Sequence, residues 1–423
     1  MFRTCVLVTE EVAFLKRASW NVPPDLPSTH YLDNRIHTEE RIFAAEQAAI
    51  FRRCWKFLYL ASELPNAGDF RVAELGGIPI VTVRDRDGTL RSFYNVCPHR
   101  GAPLVRVSHG NLARGFRCLY HLWTYALDGA CTSISRVEGY KNAGLTKDQV
   151  RLRNVRTETM AGLVFVTLDD DAPPLENFLG GMRDHIERHC GAEELELFHF
   201  HRADLATNWK LWVDNNSEVY HDLMHVVNRR TGVSHPAYHT RRWKLYPNAM
   251  NVILEGAMNY ESAGWEGRDS NMMPGIGPNG MVILEVFPDV MINIRATAMR
   301  IDSITPIAAG RSIIEYRGVG LKSDTPEVRA KRIRHHNQIW GPAGRNLPED
   351  NAVVELQWRN MASGAARYSI IAREEELKPH DDSPLRAWYQ EWGRRVGVWP
   401  HDIDAPRAIV QRTAEQPATA AHG

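Results

Sequence analysis

The chain has no long hydrophobic run, few cysteines and no excess charge, and each absence excludes a class of protein. No apolar stretch approaches the roughly 20 residues needed to cross a bilayer. Basic and acidic residues both number 51, which indicates neither a nucleic-acid surface nor an acidic arm. Six cysteines scattered over 423 residues are not the disulfide framework of a short secreted domain. The opening MFRTCVLVTEEVAFLKR lacks the pattern of an export signal, so we expect a cytoplasmic protein that binds neither membrane nor nucleic acid.

Motifs for nucleotide binding and for repeat architectures are missing as well. The chain contains no GxGxxG fingerprint, no P-loop and no internal repeat. A dinucleotide cofactor would therefore have to be used by another protein. The chain does contain 18 histidines, and histidine is the commonest metal ligand among side chains.

Changes in composition divide the chain into four parts. Residues 1–54 include an Ala- and Glu-rich stretch with helical spacing of apolar residues, which predicts a helical segment packing on the largest domain. Residues 55–167 alternate short strand-like runs with turns, and Asp87-Gly88 marks a hairpin. Residues 168–404 begin with an acidic, Pro-containing linker and then predict a large antiparallel sheet flanked by helices, so the fold class is α+β. Residues 405–423 are small and polar, and we expect a disordered tail.

The strongest local signal is a pair of Cys/His motifs. Cys97 and His99 form C-x-H, and after eighteen residues Cys118 and His121 form C-x-x-H. Two thiolates and two imidazoles suit a [2Fe–2S] cluster in which the cysteines hold one iron and the histidines the other. Structural zinc is an alternative, although zinc modules usually group C-x-x-C with H-x-H. Four unrelated core residues is the remaining alternative.

A second signal is the histidine pair His221 and His225 in the run DNNSEVYHDLMH. On a helix, residues i and i+4 share one face, so both imidazoles can reach one metal. Two imidazoles and one carboxylate form the facial triad of non-haem Fe(II) oxygenases. The pair alone is a weak signal, since surface histidines often have this spacing, and its carboxylate must come from elsewhere in the chain.

Taken together, these motifs resemble those of the Rieske non-haem iron oxygenases, in particular the large subunits of aromatic ring-hydroxylating dioxygenases. CPHRGAPL and CLYHLWTY are similar to the family's cluster loops, and GPAGRNLPEDNAVVELQ is similar to its late segment with the iron carboxylate. The resemblance implies an all-β [2Fe–2S] domain at 55–167 and a mononuclear iron domain at 168–404. It implies Asp350 as the third iron ligand, with Glu349 and Glu355 as alternatives.

The resemblance also implies roles and partners. Glu218 would bridge the iron ligand His221 and the cluster ligand His121 of a neighbouring protomer, which implies a homotrimer, with or without a small β subunit. The alternative for Glu218 is an acid on a helix surface. Electrons would come from NAD(P)H through a separate flavin reductase, with or without a ferredoxin, and O₂ would be the co-substrate.

Two departures from the pattern of ring-oxidising members concern the substrate. Three residues rather than four separate the histidines, and Glu218 stands where Asp is common. Glutamate there resembles members that act on quaternary ammonium compounds. We predict hydroxylation of a small organic substrate, foremost an aromatic acid; the alternative is demethylation or monooxygenation of an N-methylated or quaternary ammonium compound. Alternatives of other classes are a Rieske electron carrier without catalytic iron and a zinc-stabilised binding protein.

The substrate pocket is the part that the sequence determines least. We expect it between the helix around His221 and the strands after residue 240. Candidate lining residues, each of which is more often simple core, are Asn215, Met224, Val286, Ile294 and Trp340. Arg295 or Arg300 would suit a substrate carboxylate, although a solvated strand face is the commoner place for such residues.

Overall fold

The computed structural model describes residues 21–231, 236–257, 271–278 and 280–407. Residues 1–20 of the predicted helical segment and residues 408–423 of the predicted tail lie outside these ranges. Within them, no helix combines the length and the apolar character needed to span a membrane.

The helices of the described chain are short in its first half and longer toward its end. Their bounds are α1 Arg35–Thr38, α2 Glu40–Glu46, α3 Leu175–Leu179, α4 Met182–Ile186, α5 Trp209–Ser217, α6 Val226–Thr231, α7 Pro326–Ile339, α8 Leu347–Ala362 and α9 Ser383–Val396. The helix expected at TPEVRAKRIRHHNQIWG is α7, which begins where the Thr325 side chain accepts a hydrogen bond from the Val328 N–H.

The strands belong to two large sheets and three small ones. Their bounds are β1 Tyr31–Asp33, β2 Lys56–Leu60, β3 Asp69–Leu75, β4 Ile78–Arg84, β5 Leu90–Tyr94, β6 His109–Asn111, β7 Phe116–Arg117, β8 Thr124–Tyr125, β9 Cys131–Ser133, β10 Asn154–Met160, β11 Leu163–Thr167, β12 Leu195–Leu205, β13 Trp243–Leu245, β14 Asn251–Ala257, β15 Gly280–Val286, β16 Val290–Arg295, β17 Ala298–Ala308, β18 Arg311–Leu321, β19 Tyr368–Ile370, β20 Val398–Trp399 and β21 Asp402–Pro406.

The first large sheet, with strand order β2-β11-β10-β5-β4-β3-β6, forms the all-β domain together with the small sheet β7-β8-β9. The hairpin expected at Asp87-Gly88 joins β4 to β5, and Arg84 pairs with Leu90 at its end. The all-β domain has its own core, and it is joined to the next domain through Arg317, which donates to Glu63 at 3.0 Å and to the Leu58 carbonyl at 2.9 Å.

The second large sheet has the order β12-β18-β17-β16-β15-β14-β13, and each described pair in it is antiparallel. Its central strands are buried on both faces, as β16 illustrates. Ile292 and Ile294 pack in the main hydrophobic core, whereas Asn293 and Arg295 lie on the opposite face and line a cavity. The sheet therefore presents a polar face to the interior of the domain.

The N-terminal helices are tied to this second domain through a buried carboxylate. Glu46, at the end of α2, accepts hydrogen bonds from Trp209 Nε1 at 2.8 Å, Lys210 Nζ at 2.6 Å and Trp392 Nε1 at 2.9 Å. These donors belong to α5 and α9, so one acid fixes three helices. At the other end of the domain, β21 pairs with β20 as far as Pro406, two residues beyond the predicted end of the domain at residue 404.

Candidate metal centres and substrate cavity

The two Cys/His motifs form two turns with the same hydrogen-bond pattern. The Cys97 N–H donates to the Ala102 carbonyl at 2.8 Å, and the Cys118 N–H donates to the Trp123 carbonyl at 2.9 Å. In each turn the N–H four residues after the cysteine donates back to the cysteine carbonyl, from Gly101 and from Leu122. That position is left-handed in both turns, with φ of 76° at Gly101 and 62° at Leu122. Only glycine adopts it without strain, so Leu122 is held there by its surroundings.

The glycine-containing loops predict that each Cys/His pair lies at the tip of a β-hairpin. This is confirmed for the second turn, which is the tip of the hairpin β7-β8, but it is wrong for the first. Cys97 lies in the connection from β5 to β6, and these strands occupy separate places in the sheet because β6 pairs with β3. Asn95 holds this connection in place: its side-chain oxygen accepts from the N–H groups of Leu104 and Val105 at 3.1 and 2.9 Å. The turn is therefore closed by a side chain where the sequence predicts a strand pair.

The side chains of the two turns fit a [2Fe–2S] cluster. Cys97 and Cys118 are buried and are not joined in a disulfide. The rings of His99 and His121 lie 4.4 Å apart, and their Nδ1 atoms are buried without a hydrogen-bond partner. Burial lowers the pKa of His99, which keeps this ring neutral. Two thiols and two unpartnered imidazole nitrogens form the donor set that the cluster requires.

Aromatic side chains surround this donor set. Trp123 stacks on the His99 ring at 4.4 Å, and the Tyr140 hydroxyl lies 3.1 Å from His99 Nε2. The buried Tyr125 hydroxyl lies 3.2 Å from Cys97 Sγ. Nε2 of His99 thus has a hydrogen-bond partner, while its buried Nδ1 has none and is available as a ligand atom.

The second histidine pair converges with Asp350. His225 Nε2 lies 3.0 Å and His221 Nε2 lies 3.7 Å from Asp350 Oδ1. In the described part of the chain, these three residues are the group whose ligand atoms lie close enough together to hold a metal ion. The arrangement is a facial triad of two imidazoles and one carboxylate.

The two histidines do not share one α-helix, which corrects the prediction from their spacing. His221 lies in the 3₁₀ turn Tyr220–Leu223, and His225 immediately precedes α6. The break arises because α5 ends at Ser217 and Glu218 is extended. The Glu218 carboxylate accepts from the N–H groups of Tyr220 and His221 at 2.9 and 3.1 Å and so holds the turn in place.

Each imidazole of the triad also contacts a carboxylate with its outer nitrogen. His221 Nδ1 lies 2.7 Å from Glu218 Oε1, and His225 Nδ1 lies 2.5 Å from Glu349 Oε2. A carboxylate in this position fixes the tautomer, so that Nε2 presents its lone pair to the metal. Burial would lower the pKa of His221, but Glu218 and Asp350 raise it to about 10. The carboxylates around His221 therefore favour a positive charge at this position, such as that of a divalent cation.

The alternatives for the third ligand lie elsewhere. Glu349 faces the outer side of His225, and the Glu355 carboxylate accepts from the Ala206 N–H at 2.7 Å. Asp350 lies in the first turn of α8, where the free N–H groups of the helix favour a carboxylate.

A cavity opens beside the triad. Of the predicted pocket residues, Asn215 and Trp340 line it, as do Arg295 and Arg300. Met224 lies outside this cavity with 38% of its side chain exposed, and Val286 and Ile294 belong to the hydrophobic core. The two arginines are each 3% exposed, so the solvated strand face considered for them is wrong.

Comparisons with known families agree with this geometry. Residues 54–144 match the model of the Rieske [2Fe-2S] domain, and residues 160–397 match that of the ring hydroxylating alpha subunit catalytic domain. The chain belongs to the Rieske oxygenase alpha subunits. It carries the [2Fe–2S] cluster and the non-haem iron of this family and uses O₂. It is one component of a multicomponent system in which a reductase or ferredoxin supplies electrons.

Two curated relatives are similar in sequence to this chain over most of its length. The alpha subunit of 2-aminobenzenesulfonate 2,3-dioxygenase from Alcaligenes sp is 41% identical over 90% of this chain and 97% of its own. The alpha subunit of the methanesulfonate monooxygenase hydroxylase from Methylosulfonomonas methylovora is 38% identical over 92% of this chain and 96% of its own. The fold is that of naphthalene 1,2-dioxygenase from Rhodococcus sp., with a TM-score of 0.74 and 18% identity over 92% of this chain and 97% of that one.

Sequence reasoning missed two features of this oxygenase. It treated Glu349 only as a competitor of Asp350, although its carboxylate contacts the other face of His225. It also named Arg295 as a candidate for a substrate carboxylate but gave a solvated strand face as its commoner place, and so did not predict that this side chain is buried. The available signal was the alternation in β16. A strand inside a large domain with Ile292 and Ile294 on one face must direct the polar residues of its other face, Asn293 and Arg295, at a cavity or a partner.

Proposed function

We propose that this oxygenase hydroxylates a small organosulfonate. The observation that carries the proposal is that two relatives covering nine-tenths of the chain are named for sulfonate substrates. The sequence predicts foremost an aromatic acid as substrate, and the proposal specifies that the acidic group is a sulfonate. An aromatic and an alkyl sulfonate both fit the proposal.

The charges of the cavity support an anionic substrate. Arg295 and Arg300 are buried in its wall, and Asn215 and Asn293 add neutral hydrogen-bonding groups. Guanidinium groups bind oxyanions through a planar fork of N–H donors. A quaternary ammonium ion would meet the buried guanidinium group of Arg295, which carries the same sign of charge, and this argues against the alternative substrate class.

The division of labour follows from the two donor sets. We assign the cluster to Cys97, His99, Cys118 and His121, and the mononuclear iron to His221, His225 and Asp350. The cluster would supply electrons one at a time, and the iron would bind and activate O₂ for attack on the substrate. Glu218 and Glu349 orient the two imidazoles, and the buried cavity keeps bulk water away from the substrate.

A homotrimer is part of the proposal, because an exposed apolar patch lies beside the cluster ligand His121 and a second one lies beside the iron ligand His221. Electrons must pass between these two ligands, and an interface between protomers would bring the two patches together. One patch surrounds the cluster ligand His121 and comprises Leu119, Tyr120 and Leu122, which are 45–58% exposed. The other follows the iron ligand His221 and comprises Leu223, Met224 and Val226. Contact between them would bring His121 of a neighbouring protomer to Glu218. A flavin reductase, a β subunit and a cytoplasmic location stay predictions.

Turnover with a defined substrate panel tests the function. The iron-loaded oxygenase, with a surrogate reductase and NADH, is given benzenesulfonate, 2-aminobenzenesulfonate, methanesulfonate, benzoate and carnitine. We expect oxygen uptake matched by a hydroxylated product with at least one sulfonate. Product from benzoate or carnitine but from none of the sulfonates would contradict the proposal.

A further inference from the structure

Arg295 is a buried cation without a carboxylate partner in the described part of the chain. It is 3% exposed on β16, in the cavity beside the iron triad. Its Nη1 donates to the neutral Asn228 side chain at 3.2 Å, and its Nε has no hydrogen-bond partner. Asn228 in turn donates to Asp222 at 2.6 Å, so this acid is linked to Arg295 through an amide and by longer-range attraction rather than by a direct ion pair. Burying a charge without a direct counter-ion is costly, which points to a ligand that supplies one.

The neighbouring arginine differs in this respect. Arg300 Nη2 lies 2.7 Å from Asp302 Oδ2 and donates to Asn216 Oδ1 at 3.2 Å. Its charge is therefore already matched by a buried carboxylate. Arg241, a third buried arginine, lies over the Tyr238 ring and does not line the cavity. Of these three guanidinium groups, Arg295 alone both lines the cavity beside the triad and lacks a direct ion pair with a described carboxylate.

The surroundings of Arg295 suit a sulfonate. Asn293 precedes it by two residues on the same strand face and lines the same cavity, so its amide N–H₂ can donate to an anion held there. Trp340 lies beneath the Arg295 guanidinium at 5.5 Å and limits its movement. A sulfonate carries three acceptor oxygens, enough for the Arg295 fork and one amide N–H.

We propose that Arg295, assisted by Asn293, binds the sulfonate group and directs the rest of the substrate toward His221, His225 and Asp350. This inference rests on the proposed function and assigns its anion-binding residue. Arg295 is thus a specificity-determining residue, and Arg300 is a structural one whose charge Asp302 neutralises.

The test compares an anion with its neutral isostere. Benzenesulfonate and benzenesulfonamide are titrated by calorimetry into the metal-loaded wild-type enzyme, Arg295→Met and Arg241→Met. We expect the wild type and Arg241→Met to bind the sulfonate more tightly by on the order of 10- to 100-fold. Arg295→Met should bind both ligands alike. An undiminished preference for the sulfonate in Arg295→Met would overturn the assignment.

Further measurements separate the possible failures. If Arg295→Met does not fold, as judged by circular dichroism, Arg295→Lys decides: it should retain only part of the preference, and an unchanged preference would refute the fork contact.

Turnover of sulfonates by the wild type with no effect of Arg295 would leave the proposed function intact and remove the anion site. Equal binding of sulfonate and sulfonamide by the wild type would refute the anion site directly, and absent sulfonate turnover would refute the function. Tighter binding of benzoate than of benzenesulfonate would overturn the choice of anion.

Discussion

The two metal regions of this oxygenase are built in opposite ways. The cluster donors come from two turns within residues 97–121 that share one backbone hydrogen-bond pattern. The iron donors come from a 3₁₀ turn, the start of α6 and the first turn of α8, with Asp350 far along the chain from His221. The geometry of the cluster site therefore depends on the local backbone, whereas that of the iron site depends on the packing of a whole domain.

The groups that contact the histidine ligands from outside differ as well. Around the cluster they are the neutral aromatic side chains Trp123 and Tyr140. Around the iron triad they are the carboxylates Glu218 and Glu349. Negative charge beside an imidazole strengthens it as a metal ligand, while a neutral environment preserves the high potential of a histidine-ligated cluster.

The comparison predicts that either metal can be lost without the other, and this is the largest expected effect. His221→Ala should abolish turnover but keep the red-brown spectrum of the cluster, because no ligand is shared between the regions. Iron should fall from about three to about two ions per chain, with two labile sulfides retained. Cys118→Ser should lose the colour and the sulfide. Loss of the visible spectrum in His221→Ala would mean that the two regions are not independent.

The same difference explains what could be predicted from the sequence. Cys97, His99, Cys118 and His121 are close in sequence, and the spacing of such short motifs carries their geometry. The hairpin at Asp87-Gly88 and the helix α7 were predicted for the same reason and are present.

Features set by distant contacts could not be predicted in this way. The break between His221 and His225 depends on Glu218 capping a turn, and the placement of Met224 outside the cavity follows from that turn. Asp350 was reached through a family resemblance, since nothing in its local sequence specifies a contact with residues of another segment. The buried position of Arg295 depends on which elements cover the sheet.

A change in the carboxylates around the triad should weaken iron binding without touching the cluster. Glu349→Gln keeps the shape of the side chain but removes the charge beside His225, and we expect iron affinity to fall on the order of 10- to 100-fold. Glu355→Gln, on the same helix, is the matched control because its partner is the Ala206 N–H. Competition with an Fe(II) chelator measures the affinity. Equal losses in the two variants would indicate a structural effect on α8.

The second domain buries carboxyl groups in its interior, and Glu285 on β15 is one of them. Burial raises the pKa of Glu285 to about 8, although Ser217 and Asn251 donate hydrogen bonds to it. Below its ordinary pKa of 4.5 the proton is held in both states. As the pH rises toward 8, the unfolded chain gives up the proton while the folded chain retains it, so stability is lost.

Glu285→Gln cannot titrate and should therefore lack this loss of stability between pH 5 and pH 8. Its melting temperature relative to that of the wild type should be higher at pH 8 than at pH 5, by on the order of a few degrees. Differential scanning calorimetry of samples with matched iron content measures the shift. An offset that is the same at both pH values would show that Glu285 does not hold a proton in the folded enzyme.

The smallest expected effect tests the cluster side of the comparison. The Tyr125 hydroxyl donates to Cys97 Sγ at 3.2 Å, and such a bond stabilises the reduced cluster because the added electron increases the negative charge on sulfur. Tyr125→Phe should lower the reduction potential by on the order of 40 mV, which corresponds to one net hydrogen bond of about 1 kcal/mol. Tyr140→Phe is the control, since that hydroxyl meets His99 rather than sulfur, and its shift should be smaller. Redox titration followed by electron paramagnetic resonance measures both. If Tyr125→Phe leaves the potential unchanged, the hydroxyl does not act on the cysteine; if it also weakens iron binding, the two regions are coupled through the fold.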